Sequence, residues 1–264
     1  MSLPIYTLRQ GDHGQEVVRL QRALSQTADG EFGPQTDAAV RAYQLARGLG
    51  VDGIAGPATL GKLGIRPQLG IDISHHNGAT DWNAVFAAGV RWACVKVSNG
   101  NGGVDSRGKQ NIAAANLAGF SGIRLRAYHY AKPGPQGGDA ESEAKYALDL
   151  ADGVPLVLDL EETGGLSPQA LTEWALTWLR AVEADSPQPW LYANPDYMMR
   201  KFAPSVELAA YPLWVANPIG GVSPNFPANT LWKTWRAWQF SWTGKVPGIH
   251  SPCDLNWVVE PAAP

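Results

Sequence analysis

The run Leu156-Val157-Leu158-Asp159-Leu160-Glu161 constrains this chain more than any other segment. Side chains alternate between the two faces of an extended strand, so the leucines share one face and Asp159 and Glu161 the other. The two acids then have Cα atoms about 6.6 Å apart. The leucines call for an apolar cover of helices, which turns the acids inward. The same parity recurs along the chain. Asp72 is inward between Ile71 and Ile73, Lys96 between Val95 and Val97, and Trp214 between Leu213 and Val215, while Asp254 and Asn256 share a face in Cys253-Asp254-Leu255-Asn256.

Short apolar runs alternate with helical segments from residue 69 onward. Strands are expected at 70–74, 92–98, 124–130, 155–161, 189–192, 212–216, 237–241 and 254–258, and helices at 82–88, 109–118, 139–150 and 168–183. Regular β-α alternation argues for parallel strands with helical crossovers. Loops replace convincing helices between the last three strands. The fold class is α/β, an irregular (β/α) TIM-like barrel, with a doubly wound open sheet as the alternative. Barrels place their sites at the C-terminal ends of the strands, and each inward polar residue is expected near such an end.

Asp72, Asp159, Glu161 and Asp254 would then converge on one mouth. Carboxylates sharing a cleft raise one another's pKa and divide into a protonated acid and an ionised partner. Cleavage of a glycosidic bond requires that division of labour. Lys96 offsets part of the charge. Tyr128, Tyr130, Tyr192, Trp214 and Trp238 offer flat faces and hydroxyls for sugars.

The first third of the chain is different. All 11 Trp lie at or after Trp82. The segment Asp29–Thr36 reappears as Asp52–Thr59, both reading D-G-x-x-G-P-x-T. Asp-Gly makes a turn, the second Gly tolerates positive φ, and Pro fits the first helical position. Helices follow Pro34 and Pro57, the former amphipathic through Ala39, Val40, Tyr43 and Leu45. An earlier helix at 15–24 carries Val17, Leu20 and Leu24. This gives a small three-helix domain at 1–66, joined by a short linker to a barrel domain at 67–264. Leu8, Gly11, Gly14, Val17, Leu20-Gln21, Leu24, the two repeats, Ala39-Val40, Tyr43-Gln44 and Gly48-Leu49 resemble the peptidoglycan-binding domain type 1 family, which implies non-catalytic attachment to bacterial cell wall.

The large domain resembles glycoside hydrolase family 25, lysozymes of the muramidase type found in phage endolysins and bacterial autolysins. The matches are GIDISHHNG (70–78), DW (81–82), VKVSNG (95–100), AYHYAKP (127–133), the DLE of 156–162, WLYAN (190–194), PLWVAN (212–217) and WQF…VPGI…DLNW (238–257). The resemblance implies cleavage, with retained configuration, of the β-1,4 bond between N-acetylmuramic acid and N-acetylglucosamine. Glu161 would be the general acid/base. Asp159 would orient the substrate's 2-acetamido group as an internal nucleophile. Asp72 and Asp254 complete the acidic set, and Asp254 is itself a nucleophile candidate. Lys96, Tyr128, Tyr130, Tyr192, Trp214, Trp238 and Asn256 would bind substrate. Asn99 departs from the Glu often found there. Val157 stands where the chitinase D-x-x-D-x-D-x-E pattern has Asp. A catalytically silent wall-binding protein is the alternative.

Other chemistries lack their signatures. The five His have no metal-ligand spacing, so no metal or cofactor is expected. His75 and His76 are adjacent, so on a strand they would face opposite ways. Cys94 and Cys253 read as buried thiols of opposite parity. A formal net charge of -3 gives no nucleic-acid footprint. No apolar run reaches the length of a membrane span. A monomer is expected, made in the host cytoplasm without a signal peptide and acting on the wall after holin-dependent release.

Overall fold

A computed structural model describes residues 5–134, 138–186, 188–218, 230–232 and 235–259. The outer limits expected for the two domains, 1 and 264, lie outside them. The small region holds α1 (Gln15–Ala23), α2 (Pro34–Ala46) and α3 (Pro57–Lys62). Pro34 and Pro57 open their helices after Gly33 and Gly56, whose backbones are extended at φ -87 in both cases. The residues that need positive φ are instead the first glycines of each repeat, Gly30 (φ 82) and Gly53 (φ 74). The cause is an Asx turn: Asp29 Oδ1 accepts from Glu31 N and Asp52 Oδ1 from Ile54 N, each at 2.9 Å, which rolls the intervening glycine into the left-handed region.

The buried stripe of α2 is Thr36, Val40 and Gln44, one turn apart, while Leu45 is 73% exposed. The polar members are buried because each has partners outside α2, Thr36 in Gln21 and Gln44 in the second repeat. Gln44 Nε2 donates to Asp52 Oδ1 (2.8 Å), Ile54 O (3.0 Å) and Thr59 Oγ1 (3.1 Å). Gln21 repeats the pattern with Asp29, Glu31 O and Thr36.

The large domain runs β1 (Pro67–Ile73), α4 (Trp82–Ala87), β2 (Trp92–Asn99), β3 (Gly103–Val104), α5 (Gly108–Leu117), β4 (Leu125–Tyr130), α6 (Ala140–Ala151), β5 (Leu156–Asp159), α7 (Pro168–Asp185), β6 (Trp190–Ala193), α8 (Val206–Ala210), β7 (Leu213–Ala216), β8 (Ala237–Gly244) and β9 (Cys253–Val259). Eight of these strands close in the order β1-β9-β8-β7-β6-β5-β4-β2, with β1 pairing back to β2 and β3 forming a short hairpin on β2. The open-sheet alternative is thereby excluded. Apart from the β3 hairpin, the strands from β1 to β8 pair in parallel, but β9 is antiparallel to both neighbours. The loop 245–252 is too short for a crossover, which takes about a dozen residues, so the chain can only turn back on itself.

The outward faces carry Ile71, Ile73, Leu156, Leu158 and Leu160 into the main core. Trp92, Cys94, Val157, Trp190, Tyr192, Trp214, Ala216, Ala237 and Val258 pack together inside the barrel. At the base, Arg126 lies 3.9 Å over the Trp190 ring and donates to Gln188 O, and burial pulls its pKa down to about 10. The small region docks at this same base. Tyr6 meets Trp257 edge to face at 5.3 Å, Arg19 lies 5.8 Å over Trp235, and Tyr6, Ile65 and Leu69 share one core with the barrel.

Candidate active site

Asp72 lies near the C-terminal end of β1 and pairs in register with Asp254. Asp254 is near the start of its strand, not its end; the reversal of β9 is what brings it to the same mouth. Asp159 ends β5, flanked in register by Tyr130 and Tyr192. Glu161 lies two residues beyond β5, because the strand stops at Asp159, and it is exposed to the cleft. Asp72 is 8% exposed and Asp159 6%.

The acids form two hydrogen-bonded pairs, Asp159 with Glu161 and Asp72 with Asp254. Burial pushes Asp159 well above the usual carboxylate range, and the Glu161 charge adds to this while Lys96 opposes it. Burial also raises Glu161, against the bond from Asp159 and the charge of Lys96. Asp72 is raised well above its ordinary value by burial and then by Asp254, while Asn256 and Gln239 pull it down. Burial pushes Asp254 up to about 6. Both pairs thus hold protons at pH values where free carboxylates have lost them. Asp159 Oδ1 is fully buried and has no hydrogen-bond partner.

Of the other expected site residues, Lys96 Nζ lies 4.6 Å over the Tyr130 ring and 5.9 Å over Tyr128. Tyr130 donates to Glu162 Oε1 at 3.0 Å, and Lys132 forms an ion pair with the same oxygen. Those bonds hold Glu162 below its ordinary value, as the ionised neighbour of Glu161. Trp214 is 2% exposed and Tyr192 8%, so neither keeps a free face for a sugar ring. They form the floor: Trp214 Nε1 donates to Asn256 Oδ1 at 2.8 Å and Tyr192 OH to Gln239 Oε1 at 2.9 Å. Trp238 is misplaced by the expectation. Ala237 faces inward, so Trp238 faces outward, where it is 1% exposed, packs on Phe240 and donates to Asn217 O.

Sequence reasoning missed Gln239, the inward neighbour of Trp238. Its Nε2 donates to Asp72 Oδ2 and to Asp254 Oδ2, both at 3.1 Å. The signal was present: a lone polar residue in Ala237-Trp238-Gln239-Phe240, with the parity of Ala237. Trp242, 58% exposed, and Tyr197, raised to about 12 by burial and by Glu161, were also missed.

His75 and His76 lie on a 3-10 turn rather than a strand, with their rings 3.9 Å apart, and His75 Nδ1 is 2.7 Å from Asp105 Oδ2. Cys94 and Cys253 are buried free thiols. Among the described residues no three His, Cys, Asp or Glu side chains are grouped to hold a metal ion, and no helix is long and apolar enough to cross a membrane.

Comparison with known proteins identifies the family and the fold. The model of glycosyl hydrolases family 25 matches residues 71–249, and that of a putative peptidoglycan binding domain matches residues 13–63. Lysozyme M1 of Streptomyces globisporus is 30% identical over 231 residues, covering 81% of this chain and 74% of its own. N,O-diacetylmuramidase of Chalaropsis sp is 27% identical over 188 residues, covering 65% and 89%. The crystal structure of the bacterial lysozyme from Streptomyces coelicolor superposes with a TM-score of 0.65 at 28% identity, covering 72% of this chain and 91% of that one.

Proposed function

The chain belongs to glycosyl hydrolases family 25, and from that membership we propose that it cleaves the β-1,4 bond between N-acetylmuramic acid and N-acetylglucosamine with retention of configuration. Family membership carries hydrolysis of peptidoglycan by a lysozyme-type glycoside hydrolase. The choice of bond and the retained configuration rest on the division between Asp159 and Glu161.

Glu161 is the member open to the cleft, so the proton that its pair with Asp159 retains passes through it to the leaving oxygen, and it afterwards takes one from water. Asp159 lies beneath it. Its buried Oδ1, without a partner, is the observation that carries the proposal. A buried acceptor left unpaired is costly, and a donor from substrate relieves it. The N–H of a 2-acetamido group is such a donor. Held there, the group turns its carbonyl oxygen toward the anomeric carbon and acts as internal nucleophile. The small domain, residues 1–66, attaches the 67–264 barrel to the wall.

Mass spectrometry of digested peptidoglycan tests this. Reducing ends on muramic acid support it; ends on glucosamine, or freed peptides, reject it. The endolysin role belongs to the same proposal. Lysis from within on co-expression with a holin supports it, and lysis that ignores the holin counts against it.

A further inference from the structure

Gln239 uses every hydrogen-bonding position of its amide. Oε1 accepts from Tyr192 OH and from Trp242 Nε1, both at 2.9 Å. An indole N–H can only donate, so the atom facing Trp242 must be the oxygen and the NH2 must face the acids. Each of its two hydrogens goes to a different carboxylate, Asp72 and Asp254. Asp72 Oδ2 also accepts from Asn256 Nδ2 at 2.7 Å, and Asn256 is oriented in turn by the Trp214 indole. An oxygen that already accepts two N–H bonds holds no proton. The proton of the pair is therefore confined to the other oxygens, between Asp72 and Asp254.

We propose that Gln239 is a positioning residue for the glycosidic reaction, locking Asp72 and Asp254 into a unit with one proton and one negative charge beneath Glu161. The proposal rests on the glycosidase reading above. The donor must be neutral. A lysine here would cancel the charge, and a glutamate would add a third acid. The Asp254 and Glu161 charges act on each other, so the charge state of the unit reaches the acid/base group. The other titratable groups facing the unit are Asp159, Tyr128, Tyr192, Cys94 and Cys253, with Lys96 acting through Asp159 and Glu161. None of them donates to both Asp72 and Asp254. The lock has an outer pin at the mouth, since Trp242 is 58% exposed.

The test uses the full chain and soluble glycan oligomers, with kcat and KM followed across pH. Gln239→Leu should lower kcat about 10-fold or more and keep KM within about twofold. The acid limb of kcat should move up by about one pH unit, because the ionised pair has lost a donor. Trp242→Phe keeps an aromatic ring, removes the indole N–H and sits at an exposed position; its acid limb should move the same way by less. An unmoved acid limb in Gln239→Leu, with kcat falling only as the folded fraction falls, overturns the proposal. If that variant does not fold, an unmoved limb in Trp242→Phe overturns it. The ends released by the unaltered protein test the glycosidase reading separately. Muramic acid ends with unmoved limbs reject only the role of Gln239.

Discussion

Three glutamine amides act as hubs, two in the small domain and one in the barrel, and their surroundings drive the same bonds to opposite results. Gln21 and Gln44 each hold one aspartate at a turn, a backbone carbonyl and a threonine hydroxyl. Those aspartates, Asp29 and Asp52, are held below the usual carboxylate range by hydrogen bonds from the turn and from the glutamine. Gln239 holds Asp72 and Asp254, and both lie above that range because burial outweighs the bonds they receive. Hydrogen-bond count therefore does not decide the charge state of a carboxylate; desolvation does. The small-domain hubs stabilise loops, whereas the barrel hub stabilises a charge arrangement that opposes folding.

The comparison breaks most sharply at Glu161. Glu161→Gln keeps the shape of the side chain and removes the proton donor, so turnover of soluble glycan should fall by about 100-fold or more with no loss of Tm. Near-normal turnover would remove the functional half of the contrast. Asp254→Asn tests the cost of the arrangement. In the unfolded chain this carboxyl titrates near about 3.9, and in the fold at about 6. Between those values the native state holds more protons, so stability falls as pH rises through the window and stays lower above it. The variant should lose activity yet melt roughly 2–4 °C higher at pH 7, with no gain at pH 4. A Tm equal to or below that of the unaltered protein at pH 7 would show that Asp254 carries no folding penalty.

How much of this was legible beforehand follows from parity. Alternation in 156–161 and around Asp72 placed three acids on the inner wall, because one apolar face per strand leaves a single choice. The same rule was not applied at Trp238, where a large aromatic drew attention away from Gln239 beside it. It also gave no direction to β9. Direction depends on the length of the preceding loop, and only the return of 245–252 puts Asp254 at the mouth. In the small domain the repeat was plain, but the glycine that takes positive φ was set by Asx bonding, which one-residue preferences do not reveal. The apolar Leu45 pointed to the wrong stripe because the buried one contains Thr36 and Gln44, whose burial depends on partners far along the chain.

The small-domain hubs should respond in the opposite way from the barrel hub. Gln44→Ala leaves Asp52 N, Gly53 N and Thr59 Oγ1 without their shared partner. A loss of about 1–3 kcal/mol is expected, with kcat on soluble glycan unchanged. All 11 Trp lie at or after Trp82, so tryptophan fluorescence reports the barrel and, through Trp235 and Trp257, its seam with the small domain. The shared core at the base predicts that this remote substitution still lowers the fluorescence-detected Tm. A fluorescence transition that ignores it would show two units melting independently.

The smallest effect probes the seam itself. Tyr6 hydrogen-bonds Glu16, and Glu16 is 1% exposed and raised by burial against the charge of Arg19. Tyr6→Phe keeps the edge-to-face contact with Trp257 and deletes only that bond. About 0.5–1.5 kcal/mol should be lost at neutral pH. Glu16 would then titrate higher still, so the difference should shrink as acid protonates it in the fold. That pH dependence separates the lost bond from lost packing, which would cost the same at every pH. A Tm difference that stays constant from pH 4 to 8 would assign the seam to aromatic contact alone and leave Glu16 out of the docking.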